Sequence, residues 1–157
     1  MKTRIKTLLA DKPLGAQVAF AGWVRTKRDA GAFSFLEIGD GSSLANLQVI
    51  ADAALGNYDS DIKALSTGCA VMVEGEVKAS PAKGQEIEVL ASRVEVVGWA
   101  DPARYPLQKK RHSLEFLREI SHLRPRTNVI GAVGRVRSYL GFAVHRFLQE
   151  RGFVQVH

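Results

Sequence analysis

Thiols are nearly absent from this chain, with Cys69 as its one cysteine. That excludes an intramolecular disulfide framework and a cysteine-built zinc site. The four histidines (His112, His122, His145 and His157) stand at no spacing that makes a metal site, and Cys69 has no ligand type nearby. No run approaches the roughly 18–20 apolar residues that a membrane-spanning helix needs. The amino terminus, Met1-Lys2-Thr3-Arg4-Ile5-Lys6, is basic, but only Leu8-Leu9-Ala10 follows before Asp11, so it lacks a signal-peptide core. Gly-x-x-x-x-Gly-Lys-Ser/Thr and Gly-x-Ser-x-Gly motifs are missing too, and Gly131-Ala132-Val133-Gly134 lies in helical sequence with no strand before it. From these residues the chain binds something and shows no catalytic or metal constellation. The expectation is a protein of a reducing compartment, the cytoplasm, without a membrane partner.

What is present is ordinary globular composition: 157 residues, 46% hydrophobic and 24% charged. The net charge of +6 is unevenly placed. Residues 1–100 carry 11 Lys/Arg against 12 Asp/Glu, whereas residues 101–137 carry nine against three. A local basic stripe of this kind attracts polyanions such as nucleic acid, and it equally suits a solvated connector.

Residues 1–100 read as strands: 17–26, 33–38, 44–50, 70–77 and 86–97, with a helix-compatible piece near 59–65. The turns are Arg28-Asp29-Ala30-Gly31, Gly39-Asp40-Gly41-Ser42 and Ser80-Pro81-Ala82-Lys83-Gly84. Five strands with a small helix between the third and fourth is the order of an OB-fold, the Greek-key barrel that binds oligonucleotides. Asp101-Pro102 and Tyr105-Pro106 break the pattern as a linker. Ser113 then fits an N-cap for a short helix, and Arg124-Pro125-Arg126 interrupts. A longer helix follows over 128–150, with Val133, Val136, Leu140, Val144, Phe147 and Leu148 on one face and Gly152 as a stop. Phe153-Val154-Gln155-Val156 reads as the start of a further strand, which leads to the expectation of a chain truncated after His157. Three regions result: a barrel over 1–100, a basic linker or hinge over 101–127, and a helical segment over 128–157.

Strand alternation sorts the barrel residues by face. Leu36 and Ile38 fall on one face, with Phe33, Phe35 and Glu37 on the other. Leu47 and Val49 oppose Asn46 and Gln48. Val71, Val73 and Val77 oppose Met72, Glu74 and Glu76, and Ile87 and Val89 oppose Glu86 and Glu88. One outer face would thus present aromatics, an amide and carboxylates, with Arg25, Lys27 and Arg28 at the end of the first strand. Aromatic rings stack on unpaired bases, amides and carboxylates read base edges, and cations meet phosphates. Phe33 and Phe35 could instead pack under a neighbouring segment.

Several stretches resemble the class II aminoacyl-tRNA synthetases, and specifically the bacterial-type asparaginyl-tRNA synthetase family. In the barrel they are Gly22-Trp23-Val24-Arg25-Thr26-Lys27-Arg28-Asp29, Phe33-Ser34-Phe35-Leu36-Glu37, Asn46-Leu47-Gln48-Val49 and Glu86-Ile87-Glu88-Val89. Beyond it they are Tyr105-Pro106-Leu107-Gln108-Lys109-Lys110-Arg111-His112 and His122-Leu123-Arg124-Pro125-Arg126-Thr127-Asn128. The barrel motifs are shared with aspartyl and lysyl relatives; the later two are more specific to the asparaginyl enzyme. The resemblance implies an OB barrel that holds a tRNA anticodon loop, followed by the start of a class II catalytic domain. Phe35 would stack on the central anticodon uridine, Gln48 would hydrogen-bond that base, and Glu86 would face the first anticodon base. Arg25 and Arg28 would meet the anticodon backbone and bases.

The resemblance further implies that the helix after Asn128 is the homodimer element, motif 1. The arginine-bearing motif 2 and glycine-rich motif 3, which grip ATP, do not occur between Met1 and His157. The full-length form would activate asparagine with ATP and Mg²⁺ and attach it to tRNA(Asn), whereas this chain alone would bind no cofactor and be inactive. The competing readings are a free-standing OB-fold nucleic-acid-binding protein and a dimerising interaction protein.

Overall fold

A computed structural model describes residues 2–82 and 84–156. Met1, Lys83 of the expected third turn and His157 of the histidine set lie outside the described residues. The chain divides into two units, 1–111 and 112–157. The basic stretch 101–127 is therefore shared between them, its first part belonging to the barrel unit and its last part to the helical one.

The first unit is a closed five-stranded barrel: β1 (Gln17–Asp29), β2 (Phe33–Gly39), β3 (Leu47–Asp52), β4 (Ala70–Ala79) and β5 (Ile87–Gly98), ordered β1-β2-β3-β5-β4. All pairings are antiparallel except β3 with β5, which run parallel through Gln48↔Glu88, Val49↔Val89 and Ile50↔Leu90. Closure leaves no unpaired edge between these strands. The core is the inward set that alternation picked out: Leu36, Ile38, Leu47, Val49, Val71, Val73, Val77, Ile87 and Val89 are all buried. A π-helical turn, Tyr58–Ile62, lies between β3 and β4 and buries Tyr58 and Ile62.

Several strand boundaries differ from the sequence reading, most by one or two residues and two of them by three. β1 runs to Asp29 rather than stopping at Thr26, because its ladder with β2 continues through Arg28↔Phe35 and Asp29↔Ser34. The tight turn is therefore Ala30–Phe33, where Gly31 adopts φ +71° and the Ala30 N–H donates to the Phe33 carbonyl at 2.9 Å. β3 begins at Leu47, leaving Leu44 exposed in the preceding loop.

The sequence reading also passed over a helix, α1 (Ile5–Asp11), which buries Ile5 and Leu8 in the barrel core and ends on Lys12 at φ 47°. Its free N–H groups are capped from the β2–β3 loop: Ile5 N–H donates to Asp40 Oδ2 at 2.9 Å and Lys6 N–H to Ser42 Oγ at 3.0 Å.

After β5 the chain stays with the barrel. The Tyr105 ring lies over Gly68, where a Cβ would come within 2.7 Å of it, and Gly68 has φ +96°. Leu107 is buried.

The second unit holds α2 (Leu114–Glu119), a 3₁₀ turn at Arg124–Arg126 and α3 (Asn128–Gln149). Ser113 caps α2, accepting from the Phe116 N–H at 3.2 Å. Every large apolar residue named for the stripe of α3 is exposed, including Val133, Val136, Leu140, Val144 and Phe147. α3 ends at Gln149, and Gly152, three residues on, adopts φ +82°. Residues 153–156 form no strand, contrary to the sequence expectation: a strand is a paired element, and no described strand pairs with them. No helix among the described residues is long and apolar enough to cross a membrane.

Candidate nucleic-acid interface

The ladder between β1 and β2 sets out the site. Beyond a bulge between Val24 and Thr26, cross-strand pairs Thr26↔Glu37 and Arg28↔Phe35 share the outer face, while Lys27↔Leu36 and Asp29↔Ser34 share the inner one. On the outer face the Arg28 guanidinium lies 4.6 Å from the centre of the Phe35 ring. Phe33 meets that ring edge-to-face at 5.1 Å. Phe33 and Phe35 are both half-buried, so neither disappears into the core. A cation, a partly open aromatic ring and a second ring to brace it make a stacking platform.

Beside this platform sits a polar row. Glu37 lies across from Gln48 on β3, and Gln48 in turn lies across from Glu88 on β5. Glu37 accepts from Thr26 Oγ1 at 2.8 Å and from Asn46 Nδ2 at 2.8 Å. Glu88 Oε2 accepts from Gln48 Nε2 at 3.0 Å, Ser80 Oγ at 3.0 Å and Gln85 Nε2 at 3.2 Å. Because the Gln48 amide gives a hydrogen to Glu88, its carbonyl oxygen is turned to another direction as an acceptor. Half-buried Gln48 thus offers both an acceptor and its second N–H to a base edge.

The structure therefore brings together Arg28, Phe35 and Gln48. It does not bring Glu86 to them. Glu86 lies just ahead of β5, exposed, and ion-pairs with Lys12. Its neighbour Glu88 occupies the place beside Gln48. Strand alternation put both glutamates on the outer face and the resemblance named Glu86; the parallel β3–β5 register, which crosses 40 residues of sequence, sets Glu88 beside Gln48. Arg25 is half-buried on β1 at the bulge, next to Thr26, with its stem near Gly39. Lys27, on the inner face, takes part in a second group of contacts with Asp29 and the carbonyls of Ile62 and Lys63. The Ser34 hydroxyl holds the Asp29 carboxyl below the ordinary carboxylate range; partial burial opposes this, and the Lys27 ammonium adds to the lowering.

Among the described residues no three His, Cys, Asp or Glu side chains are gathered to hold a metal ion.

A closed OB barrel with rings, an amide, carboxylates and a cation on one face defines a nucleic-acid-binding module. The chain belongs to the OB-fold nucleic acid binding domain family, whose model matches residues 18–97. Over all 157 residues it is 68% identical to the asparagine–tRNA ligase of Desulfotalea psychrophila, and over 156 residues it is 56% identical to that of Synechocystis. It spans about a third of the length of these relatives, 35% and 34% respectively. Its fold superposes on the asparaginyl-tRNA synthetase of Pyrococcus horikoshii complexed with asparaginyl-adenylate at a TM-score of 0.86, with 27% identity, covering 100% of this chain and 36% of that one. The resemblance read from the residues is thus found independently in sequence and in fold.

Proposed function

We propose that this chain is the anticodon-binding portion of an asparagine–tRNA ligase, acting in the cytoplasm. The observation that carries the reading is the joint placement of Phe35, Arg28 and Gln48 on one barrel face, in a chain with extended identity to such ligases. Phe35 stacks on the central base of the anticodon loop, and Gln48 reads that base's edge. Arg28, and Arg25 on the same strand, meet the backbone and bases of the loop, while Glu86 at the rim faces the first anticodon base. In the longer protein, ATP and asparagine would be engaged by residues beyond this chain, and α3 would form part of a homodimer contact. Alone, the chain has no asparagine-dependent ATP–pyrophosphate exchange activity.

Titration of the chain with an RNA stem-loop carrying uridine at the loop centre tests this. Stacking of one base on an aromatic side chain is worth roughly 1–3 kcal/mol, so Phe35→Ala should weaken binding about tenfold or more. A folded Phe35→Ala protein that binds like wild type would make Phe35 a packing residue and overturn the reading.

A further inference from the structure

The inner side of the β1–β2 hairpin carries contacts that the binding face alone does not call for. Ser34 is fully buried between Phe33 and Phe35, its side chain turned the opposite way from theirs. Its hydroxyl donates to Asp29 Oδ1 at 2.6 Å and lies 3.0 Å from the buried Tyr58 hydroxyl. With the serine hydrogen given to Asp29, the tyrosine hydroxyl is the donor to Ser34 Oγ. Tyr58 opens the π-helical turn Tyr58–Ile62. Lys27 grips the far end of that turn, donating to the Ile62 carbonyl at 3.2 Å and to that of Lys63, with its ammonium 3.5 Å from Asp29 Oδ2. The hairpin end is thus tied to the β3–β4 connection by a closed polar chain.

Burying the Ser34 and Tyr58 hydroxyls costs desolvation that a Phe at 58 and an Ala at 34 would avoid, so their return is in defining one arrangement. The arrangement it defines is the register. Asp29↔Ser34 is the ladder pair next to Arg28↔Phe35. A one-residue slip of this ladder would turn every side chain of the slipped strand to the opposite face, taking Phe35 or Arg28 inward.

We propose that Ser34, Tyr58, Asp29 and Lys27 are positioning residues of the nucleic-acid interface. They make no contact with the ligand and hold the hairpin end in the one register that keeps Phe35 and Arg28 outward and adjacent. This rests on the nucleic-acid reading given above.

Tyr58→Phe removes only the hydroxyl that donates to Ser34, and Ser34→Ala removes the links to both Asp29 and Tyr58. One buried hydrogen bond corresponds to about threefold to tenfold, so each variant of the full chain should bind the uridine stem-loop RNA that much more weakly. In a Phe35→Ala background the same changes should cost less than about twofold, because the platform they hold is gone. A general loss of stability would not show that dependence. In the free protein, hydrogen exchange at the Ala30 and Ala53 amides, which bond the Phe33 and Ala32 carbonyls, should quicken while β4 amides keep their protection. Full additivity with Phe35→Ala, or wild-type RNA binding together with unchanged hairpin exchange, overturns the positioning role and leaves the nucleic-acid reading standing. A wild-type chain that holds no RNA while the variants still exchange faster overturns the nucleic-acid reading and the positioning role with it.

Discussion

Asp40 offers the sharpest test of how the barrel unit is held together. Its carboxylate accepts from the Ile5 N–H at 2.9 Å, the Ser42 N–H at 2.9 Å and the Ser42 hydroxyl at 2.6 Å. One residue thus caps α1 from 35 positions away and closes its own loop. Asp40→Ala leaves the Ile5 N–H without its acceptor and frees the loop; loss of a helix cap costs about 0.5–2 kcal/mol, and more when the acceptor is charged. The upper limit is detachment of α1, which would expose Ile5 and Leu8, each worth about 1.5–3 kcal/mol when buried. A loss of about 1–2 kcal/mol is expected if α1 stays docked, or roughly 5–12 °C in Tm for a domain of this size.

The pH dependence gives the sign. Burial pushes the Asp40 carboxyl up, but the Ser42 hydroxyl and the N–H groups of Ile5 and Ser42 outweigh it, leaving the group below the ordinary carboxylate range. A depressed folded pKa means stability that is present above the ordinary carboxylate value and lost as pH falls through the folded one. Wild type and Asp40→Ala should therefore differ most near neutrality and approach each other in strong acid. Thermal unfolding of both proteins from pH 7 down to about pH 2.5 measures this. A gap that stays constant, or widens, as the pH drops would refute the assignment of Asp40 as an ionised cap.

Two other outcomes are expected. Gln48→Ala should weaken binding of the uridine-centred RNA loop about threefold to tenfold and leave a loop with a changed central base nearly unaffected, whereas Phe35→Ala should weaken both; paired titrations separate edge reading from stacking. Cutting the chain after Arg111 should leave a folded barrel that self-associates less than the full 157 residues, since the core cluster lies within the first unit and the exposed stripe of α3 is removed. Sedimentation and circular dichroism of the two lengths compare these directly.

The alternation of apolar and polar residues makes most of the barrel legible in the sequence. Leu36/Ile38, Leu47/Val49 and Val71/Val73/Val77 are buried as their spacing required, and Phe35 and Gln48 are on the outside. Alternation is a local signal, carried by each strand separately, and it stops where distant segments decide the outcome. Helix α1 is short, and its cap sits on another loop, so neither a periodic run nor a neighbouring Ser or Asp announced it. Glu86 and Glu88 look alike in sequence because both flank Ile87. What distinguishes them is that Ser80, Gln85 and Gln48 converge on Glu88 while Lys12 takes Glu86. The inner contacts of Lys27 were hidden for a related reason. The bulge before Thr26 shifts the ladder, so Lys27 leaves the cationic face that its neighbours Arg25 and Arg28 suggested for it.

The parallel pairing of β3 with β5 has a kinetic consequence. Hairpins such as β1–β2 close over a few residues, whereas joining Gln48 to Glu88 requires the chain to loop back over 40. Loop-closure entropy and the slowness of non-local pairing place that seam, together with the still longer-range β1–β4 pairing, late in folding. The Gln48–Glu88 hydrogen bond lies on the seam itself, so the orientation it gives Gln48 is set only when β5 joins β3. During synthesis, a nascent chain that has emerged as far as β4 would already display Phe35 and Arg28 and would still lack an oriented Gln48. On the anticodon reading proposed above, RNA affinity at that stage would not discriminate among bases, and selectivity would arrive with the last strand.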